Sequence, residues 1–422
     1  MRSDDDGEAS SKRPVVRGTA RAALQHRDFR ILWSGILFSN IGTWMQNVLL
    51  GAYGYTLTKS ALFVAILFFA QLGPMLFLAP VGGLLADDFD RRTVVIVTQI
   101  PQLLASVALA VIALSDAPSK VVIAVLVGVI GVFNALSGPA TLASLPGAVP
   151  RADIDGAVSL TTVQMNLSRV VGPAIGAAVF ALTNASTVFA LNSLTYLAVI
   201  GAFAVCRIAP REAVCEATFT KRLLGGFALV RSDATVRRVL GSMVVFSLGC
   251  LPFIGLLPAI SAERLGIDPK SVAYGVLYAA MAVGAVLGSL AVGSVFHAVR
   301  RTRLMAGGFW AFAGLMALLT VMQSPVAAYP LVLMLGFAYF TAVTALSNVL
   351  QRHLTEAVRG RVTALWMMSF GGTVPIGVLI FGSLANRVGL VPVMVCSAVV
   401  ALGLALFAGR RIREATHSAV PS

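Results

Sequence analysis

Long apolar runs follow one another along nearly the whole chain, separated by short polar segments. Lipid offers no partners for backbone N–H and C=O groups, so a run that crosses a bilayer must be a helix or part of a closed barrel. These runs are apolar on all sides, without the alternation of a barrel strand, and each has about the 20 residues that a spanning helix needs. The pattern predicts twelve transmembrane helices, spans 1 to 12, at 30–57, 60–86, 93–115, 119–145, 157–183, 186–206, 239–262, 271–298, 302–323, 326–350, 360–386 and 389–409.

The composition agrees with an all-α membrane protein. Of the 422 residues, 58% are hydrophobic and 12% are charged, and the mean hydropathy is +0.87. Soluble domains have a charged share of roughly 25%. A soluble protein of the present composition could not cover its surface with polar groups.

The basic residues are distributed unevenly between the polar segments. Of the 32 Lys and Arg residues, 26 lie in one set of alternate segments, which includes both chain ends, and five lie in the other set. Cytoplasmic loops carry an excess of Lys and Arg, so we expect a multi-pass protein of the inner (plasma) membrane with both termini in the cytoplasm. The net charge of +14 could indicate a nucleic-acid-binding protein, but this distribution of the basic residues argues against it.

The chain contains two related halves. RILWSGILFS at 30–39 and RVLGSMVVFS at 238–247 share Arg, Leu, Ser, Phe and Ser at identical spacing, with an offset of 208 residues. Each half has six spans, so the halves run in the same sense. The predicted domains are a cytoplasmic tail at 1–29, a six-helix bundle at 30–206, a linker at 207–238, a second six-helix bundle at 239–409 and a tail at 410–422.

The linker contains FTKRLLGGFALVRSDATVRR, in which Phe219, Leu223, Phe227 and Val230 fall on one side of a helix. An amphipathic helix with basic residues elsewhere on its surface suits the anionic inner leaflet of a membrane. A solvated linker with some helical bias is the alternative, and the sequence leaves both open.

Arg169 is the one basic residue inside a predicted span, about twelve residues from the start of span 5. At 1.5 Å per residue this is roughly 18 Å deep, where an arginine in lipid would cost about 2.5–3.5 kcal/mol. On a helix it shares a side with Thr162, Asn166 and Pro173. We therefore predict a cationic element of a substrate cavity or its gate. The alternative is an arginine that braces helices through hydrogen bonds to carbonyl groups.

Polar and aromatic side chains in other spans are further candidates for the cavity. Asn40, Trp44 and Asn47 of span 1 are spaced by four and three residues, which puts them on one side of a helix. Aromatic groups with a few polar handles suit an amphiphilic ligand. For each of these residues, ordinary packing is the alternative. The candidates in other spans are Gln71 in span 2, Asn134 in span 4, Tyr278 in span 8, Tyr339 in span 10 and Trp366 in span 11.

The loop after span 2 reads GGLLADDFDRR and resembles the signature of the major facilitator superfamily, Gly-x-x-x-Asp followed by basic residues, here Gly83, Asp87, Arg91 and Arg92. Two further aspartates depart from that signature. Asp87 can accept hydrogen bonds from Arg91 or Arg92, or face the N-terminus of a helix from the other half, such as span 11. Such contacts would form a cytoplasmic gate with two states; a plain polar loop is the alternative.

Span 5 contains GPAIGA, which resembles a motif of the drug-exporting branch of this superfamily. Pro173 removes a backbone hydrogen bond, while Gly172 and Gly176 form a face of small residues that lets another helix approach closely. RGRVTALWMM at 359–368 and VPIGVLIFG at 374–382 are similar to the bacterial branch of macrolide and siderophore (multidrug) exporters. The resemblance implies two parallel six-helix bundles, efflux and, as the usual mode of the superfamily, proton-coupled antiport.

Together these features favour a secondary active transporter that exports a hydrophobic or amphiphilic small molecule, such as a drug, siderophore or secondary metabolite, by alternating access. An importer of a small metabolite and a receptor or scaffold on the same fold are the alternatives. An enzyme is not expected, because the spans hold no carboxylate pair, no metal-spaced His and Cys and no ATP-binding loop. No cofactor or metal is expected. All 18 Asp and Glu residues lie in loops or at span ends, so protons as the coupling ion follow from the resemblance alone. We expect a monomer.

Overall fold

The computed structural model describes residues 17–206, 230–354, 362–363 and 365–417. Within these ranges the regular structure is helical and no strand occurs, so the prediction of an all-α fold is confirmed. Most of the interfacial helix predicted in the linker lies outside the described residues, which resume at Val230. The predicted domain boundaries stay a prediction.

Spans 1 to 6 form helices close to their predicted positions. A four-residue helix, Ala20–Ala23, precedes span 1 and packs on the start of span 5. Span 2 is divided at Gly73, because Pro74 has no N–H to donate within a helix. The helices of these six spans are Arg27–Thr58, Ala61–Leu72 with Pro74–Asp88, Arg91–Ile112, Lys120–Ser144, Ile154–Leu182 and Ala185–Val205.

Spans 7 to 12 are built in the same way. Span 7 is divided before Pro252, and span 11 contains a π-helical turn, Met368–Gly372. The helices of these six spans are Ala234–Gly249 with Pro252–Arg264, Val272–Gly293, Arg301–Val321, Pro325–His353, Val374–Val388 and Leu390–His417.

Eleven of the spans, within the part of the chain that the structure describes, are helices long and apolar enough to cross a membrane. Span 1 is the exception, although its helix has 32 residues. Asn40, Gln46 and Asn47 make this helix more polar than the others, and Gln46 is buried. Asn47 accepts a hydrogen bond from Gln71 of span 2, so this part of span 1 lies against protein.

Polar residues mark where many of the helices begin. At each of these positions the side chain accepts a hydrogen bond from the backbone N–H three residues later, which satisfies one of the unpaired donors at a helix start. These N-cap residues are Ser60, Asp90, Ser119, Asn184, Ser271 and Ser324.

The helices pack as two bundles, here called the first unit (spans 1 to 6) and the second unit (spans 7 to 12). Span 5 packs against span 8, span 2 against span 11, and the second part of span 7 against spans 1 and 2. The end that carries the described chain ends and Arg91, Arg151 and Arg301 is called the basic end. The other is called the opposite end.

Two apolar clusters lie in the interior, and they differ in extent. The larger one combines the second unit with the parts of the first unit near the opposite end, including Leu49, Val64 and Ile123. The smaller one, around Phe29 and Phe203, belongs to the first unit alone and lies near the basic end. Among the described residues, apolar packing between the units is therefore concentrated away from the basic end.

Candidate functional site

Arg169 lies between two aromatic rings that belong to different units. Its guanidinium carbon is 5.2 Å from the ring centre of Trp44 in span 1 and 5.0 Å from that of Phe340 in span 10. An aromatic face attracts a cation within about 6 Å. The side chain is partly exposed, and its Nε makes no hydrogen bond with a described residue. Arg169 thus faces the interface between the units and has a donor for a further partner.

Two predicted tyrosines form part of an aromatic wall in the second unit. Both Tyr278 and Tyr339 are buried. The ring of Tyr339 contacts Phe340 edge-on, with 4.5 Å between ring centres, and lies 6.3 Å from Phe370. The two phenylalanines were not predicted. They stand in uniformly apolar stretches, so no local signal separates them from packing residues.

Three other predicted residues serve different contacts. Gln71 donates a hydrogen bond to the side chain of Asn47, which connects span 2 to span 1. Trp366 is buried in the larger apolar cluster. The described contacts of these three side chains are therefore with other residues than Arg169.

The remaining predicted residues lie along the first unit. Asn166 donates to the carbonyl of Thr162 at 3.0 Å, a bond within span 5 itself, and Thr162 is exposed. Asn40 and Asn134 line a separate cavity of about 170 Å³ inside the first unit. The predicted residues are thus divided between a cationic centre, a polar cavity and contacts between helices.

The packing face of span 5 meets span 1. A Cβ added at Gly172 would lie 2.6 Å from the Cβ of Trp44, and one added at Gly176 would lie 2.8 Å from the carbonyl oxygen of Met45. No side chain fits in those spaces. Pro173 is inside a helix that continues to Leu182. The two glycines let span 1 approach span 5 so closely that the ring of Trp44 lies against the guanidinium of Arg169.

The opposite end is connected by hydrogen bonds between the units. The hydroxyl of Tyr55 in span 1 donates to Glu263 in span 7 at 2.8 Å, and the hydroxyl of Ser60 donates to Asn386 of span 11 at 3.3 Å. The sequence analysis did not find these residues. Tyr55 and Glu263 are 208 residues apart, which equals the offset of the repeat, so equivalent positions of spans 1 and 7 meet here.

The predicted gate residues at the basic end make their described contacts inside the first unit. Arg91 donates to a backbone carbonyl of span 4 at 3.1 Å, and Arg92 donates to one of span 6. Asp87 is exposed, and a Cβ added at Gly83 would meet nothing within 4 Å. The segment 355–361 before span 11, where the partner of Asp87 was predicted, lies outside the described residues.

Metal-binding groups are not assembled in the described part of the chain. No set of three or more His, Cys, Asp or Glu side chains there could hold a metal ion. Cys206 and Cys250 are buried free thiols, and Cys396 is exposed.

Comparison with known proteins places these features in a family. The enterobactin exporter EntS of Escherichia coli is 28% identical over 325 residues, which cover 74% of this chain and 71% of the relative. The same exporter of Citrobacter koseri is 27% identical over the same shares of both chains.

Solved structures resemble the fold at lower identity. The nucleoside transporter NupG has a TM-score of 0.75 at 11% identity, covering 91% of this chain and 98% of that one. A bacterial homolog of the human lysosomal transporter Spinster, inward-facing and occupied, has a TM-score of 0.72 at 14% identity, covering 91% and 96%. At these identities the likeness shows the fold alone. The family described as transmembrane secretion effector matches residues 18–421, so the chain is a multi-pass membrane transporter of that family, within the major facilitator superfamily.

Proposed function

We propose that this transporter exports an amphiphilic solute of the siderophore class by alternating access, in a plasma membrane with both chain ends in the cytoplasm. The export direction and the solute class are supported by the relatives, which are named enterobactin exporters. The orientation is supported by the excess of Lys and Arg in the segments of the basic end.

The observation that carries the proposal is the position of Arg169 between Trp44 and Phe340. A guanidinium donates to carboxylate, phenolate or carbonyl oxygens through several N–H groups in a fixed plane. The rings around it offer apolar surface for the rest of an amphiphilic molecule. Because the rings come from both units, a solute bound at Arg169 contacts both, and its binding depends on how they are arranged.

We take the described arrangement to be one that is closed to the outside. The opposite end, which we assign to the outside, is held by the bonds from Tyr55 to Glu263 and from Ser60 to Asn386. In the proposed cycle a solute enters from the basic end, the units close around Asp87, Arg91 and Arg92, and the bonds at the opposite end break.

Protons are the proposed coupling ion. The proposed working unit is a monomer, because one chain supplies both units around Arg169. Glu263 supports proton coupling because it is a carboxylate that accepts the bond between the units. An imposed pH gradient should therefore change the rate of export from proteoliposomes. Flux that ignores the gradient would exclude protons.

Cross-linking the opposite end tests alternating access. The oxygen of Ser60 is 3.3 Å from that of Asn386, so cysteines at both positions can be bridged by a short reducible thiol cross-linker. We expect the bridged double variant to stop the flux of enterobactin, used as the first probe, and the reduced form to restore it.

The single variants Ser60→Cys and Asn386→Cys, treated in the same way, are the matched controls and should keep their flux. Equal flux in the bridged and reduced double variant would contradict alternating access. Absence of enterobactin flux, with flux of an unrelated amphiphile in a wider panel, would contradict the siderophore class and leave the mechanism in place.

A further inference from the structure

The polar cavity inside the first unit has a composition unusual for the interior of a membrane protein. It lies between spans 1, 3, 4, 5 and 6, with a volume of about 170 Å³. Eleven of its 17 lining residues carry an amide or hydroxyl group, and none carries a charge. Polar groups are costly to bury in a membrane unless they are paired, so this concentration calls for a partner.

Three glutamines form the deeply buried part of the lining. Gln99, Gln102 and Gln164 are 6%, 2% and 1% exposed. Gln102 donates to the carbonyl of Thr98 at 2.9 Å, and Gln164 donates to that of Trp33 at 3.5 Å. The side-chain oxygen of Gln99, in contrast, accepts no hydrogen bond from a described residue. A buried acceptor without a partner costs about 1–3 kcal/mol.

These properties define the chemistry of a ligand. Gln99 lines the cavity and its buried side-chain oxygen is an acceptor without a partner, so a ligand with an O–H or N–H donor can satisfy it. A charged group would lose its hydration without gaining a counter-charge, which is costly in such a site. The volume equals roughly six water molecules at about 30 Å³ each, enough for one ring or side chain of a solute. We propose that this cavity binds a neutral hydroxyl or amide group of the transported molecule, with Gln99 as the acceptor.

The cavity is adjacent to the cationic centre. Met165 lines the cavity, and Arg169 follows four residues later on the same side of span 5, about 6 Å further along the helix. A solute with a neutral donor at one end and an anionic or carbonyl group at the other can therefore engage both. This step rests on the proposed function, since it takes the solute to occupy the path at Arg169.

Benzamide and benzoate form a matched pair of probes, because they share a ring while one is a neutral N–H donor and the other an anion. Binding of each to the purified full-length protein in nanodiscs would be measured by equilibrium dialysis. We expect Gln99→Met to weaken benzamide binding by about 3- to 10-fold, the loss of one neutral hydrogen bond, and to leave benzoate binding unchanged. Arg169→Ala should do the reverse.

Two further variants keep the test decisive. Asn134→Leu removes a second amide from the lining and should also weaken benzamide binding, which covers a failure of Gln99→Met to fold. Ser106→Ala removes a buried hydroxyl of span 3 that donates to the carbonyl of Phe189 at 2.9 Å outside the cavity. This control should bind benzamide as the wild type does.

The outcomes separate this proposal from the proposed function. Benzamide binding that Gln99→Met and Asn134→Leu leave unchanged, in a protein that still exports, would overturn the cavity as a binding site and leave export intact. Benzamide binding that depends on Gln99, in a protein that exports no siderophore, would support the site and contradict the solute class.

Discussion

The interface between the two units differs sharply from one end of the molecule to the other. At the opposite end, Tyr55 bonds to Glu263 across the units, and Gly382 of span 11 would place an added Cβ only 2.5 Å from the Cβ of Ala65 in span 2. At the basic end, the bond from Arg91 to the carbonyl of Ala143 and the bond between Asp233 and His353 each lie within one unit.

This difference shows how the same twelve helices can serve a transporter. Contacts inside a unit keep each bundle rigid, and contacts between units decide which end is open. Small changes at such an interface can shift a two-state equilibrium because packed surfaces have discrete arrangements. Substitutions of single residues distinguish contacts inside a unit from contacts between the units.

Arg169→Ala should have the largest effect, because Arg169 lies between rings of both units and is the proposed contact for the solute. Loss of a hydrogen bond to a charged group costs about 1.5–3 kcal/mol, so we expect solute affinity and export to fall about 10- to 150-fold. Arg169→Lys keeps the charge without the planar fork and should be intermediate. If Arg169 only braces helices, the melting temperature will fall while the affinity of the surviving protein stays unchanged.

Gly382→Leu should force the opposite end apart. Overpacking a close contact costs about 1–3 kcal/mol, which would shift the equilibrium toward the outward-open state by about 5- to 150-fold. A cysteine at Leu57, which packs on the larger apolar cluster, should then react faster with a maleimide that cannot cross the membrane. Gly83→Leu is the matched control at the basic end, where an added Cβ meets nothing within 4 Å. Faster labelling in both variants would contradict the comparison.

Tyr55→Phe should shift the same equilibrium by a smaller amount. The change removes one hydrogen bond between the units and keeps the ring, which corresponds to about 0.5–1.5 kcal/mol and a shift of about 2- to 12-fold. The same labelling measurement reports it. The melting temperature should barely change, and a large fall in it would show that this bond holds a unit together instead.

Asp233→Asn should have the smallest effect and should not move the equilibrium. Burial raises the pKa of Asp233, but hydrogen bonds from His353 and from the backbone N–H groups of Val236 and Thr235 outweigh it and leave the pKa below its ordinary value. Folding that lowers the pKa of an acid adds stability at neutral pH, and this is lost as the pH falls through the lowered value.

Asn keeps the capping oxygen, so the loss at neutral pH should be about 0.2–1 kcal/mol, with a flatter decline of stability toward acid pH. Thermal melting in detergent from neutral to acid pH measures both. A change in the labelling of Leu57→Cys would show that the pair connects the units.

The sequence allowed the fold and part of the site to be predicted. Apolar runs in lipid can only be helices, so the spans follow from local composition, and the depth of Arg169 in span 5 dictates that it turns inward. Phe340 could not be chosen from the other apolar residues, because only tertiary packing brings span 10 to Arg169.

Two other features were accessible but missed. The offset of 208 residues, applied to Tyr55 at the end of span 1, leads to Glu263, a carboxylate at the equivalent position of span 7. Gln99 and Gln102 stand three residues apart in an apolar run. Polar residues at such spacing also mark the polar sides of spans 1 and 5. In both cases the pattern was present, while the partner across the interface or in the cavity required the structure.

Distances across both ends of one molecule test the account most directly. Spin labels on the exposed residues Asp155 and Arg352 report the basic end, and labels on the exposed residues Lys120 and Val326 report the opposite end. Addition of the transported solute should shorten the first distance and lengthen the second, as the units rock about Arg169. Two distances that stay fixed, or that change in the same direction, would contradict it.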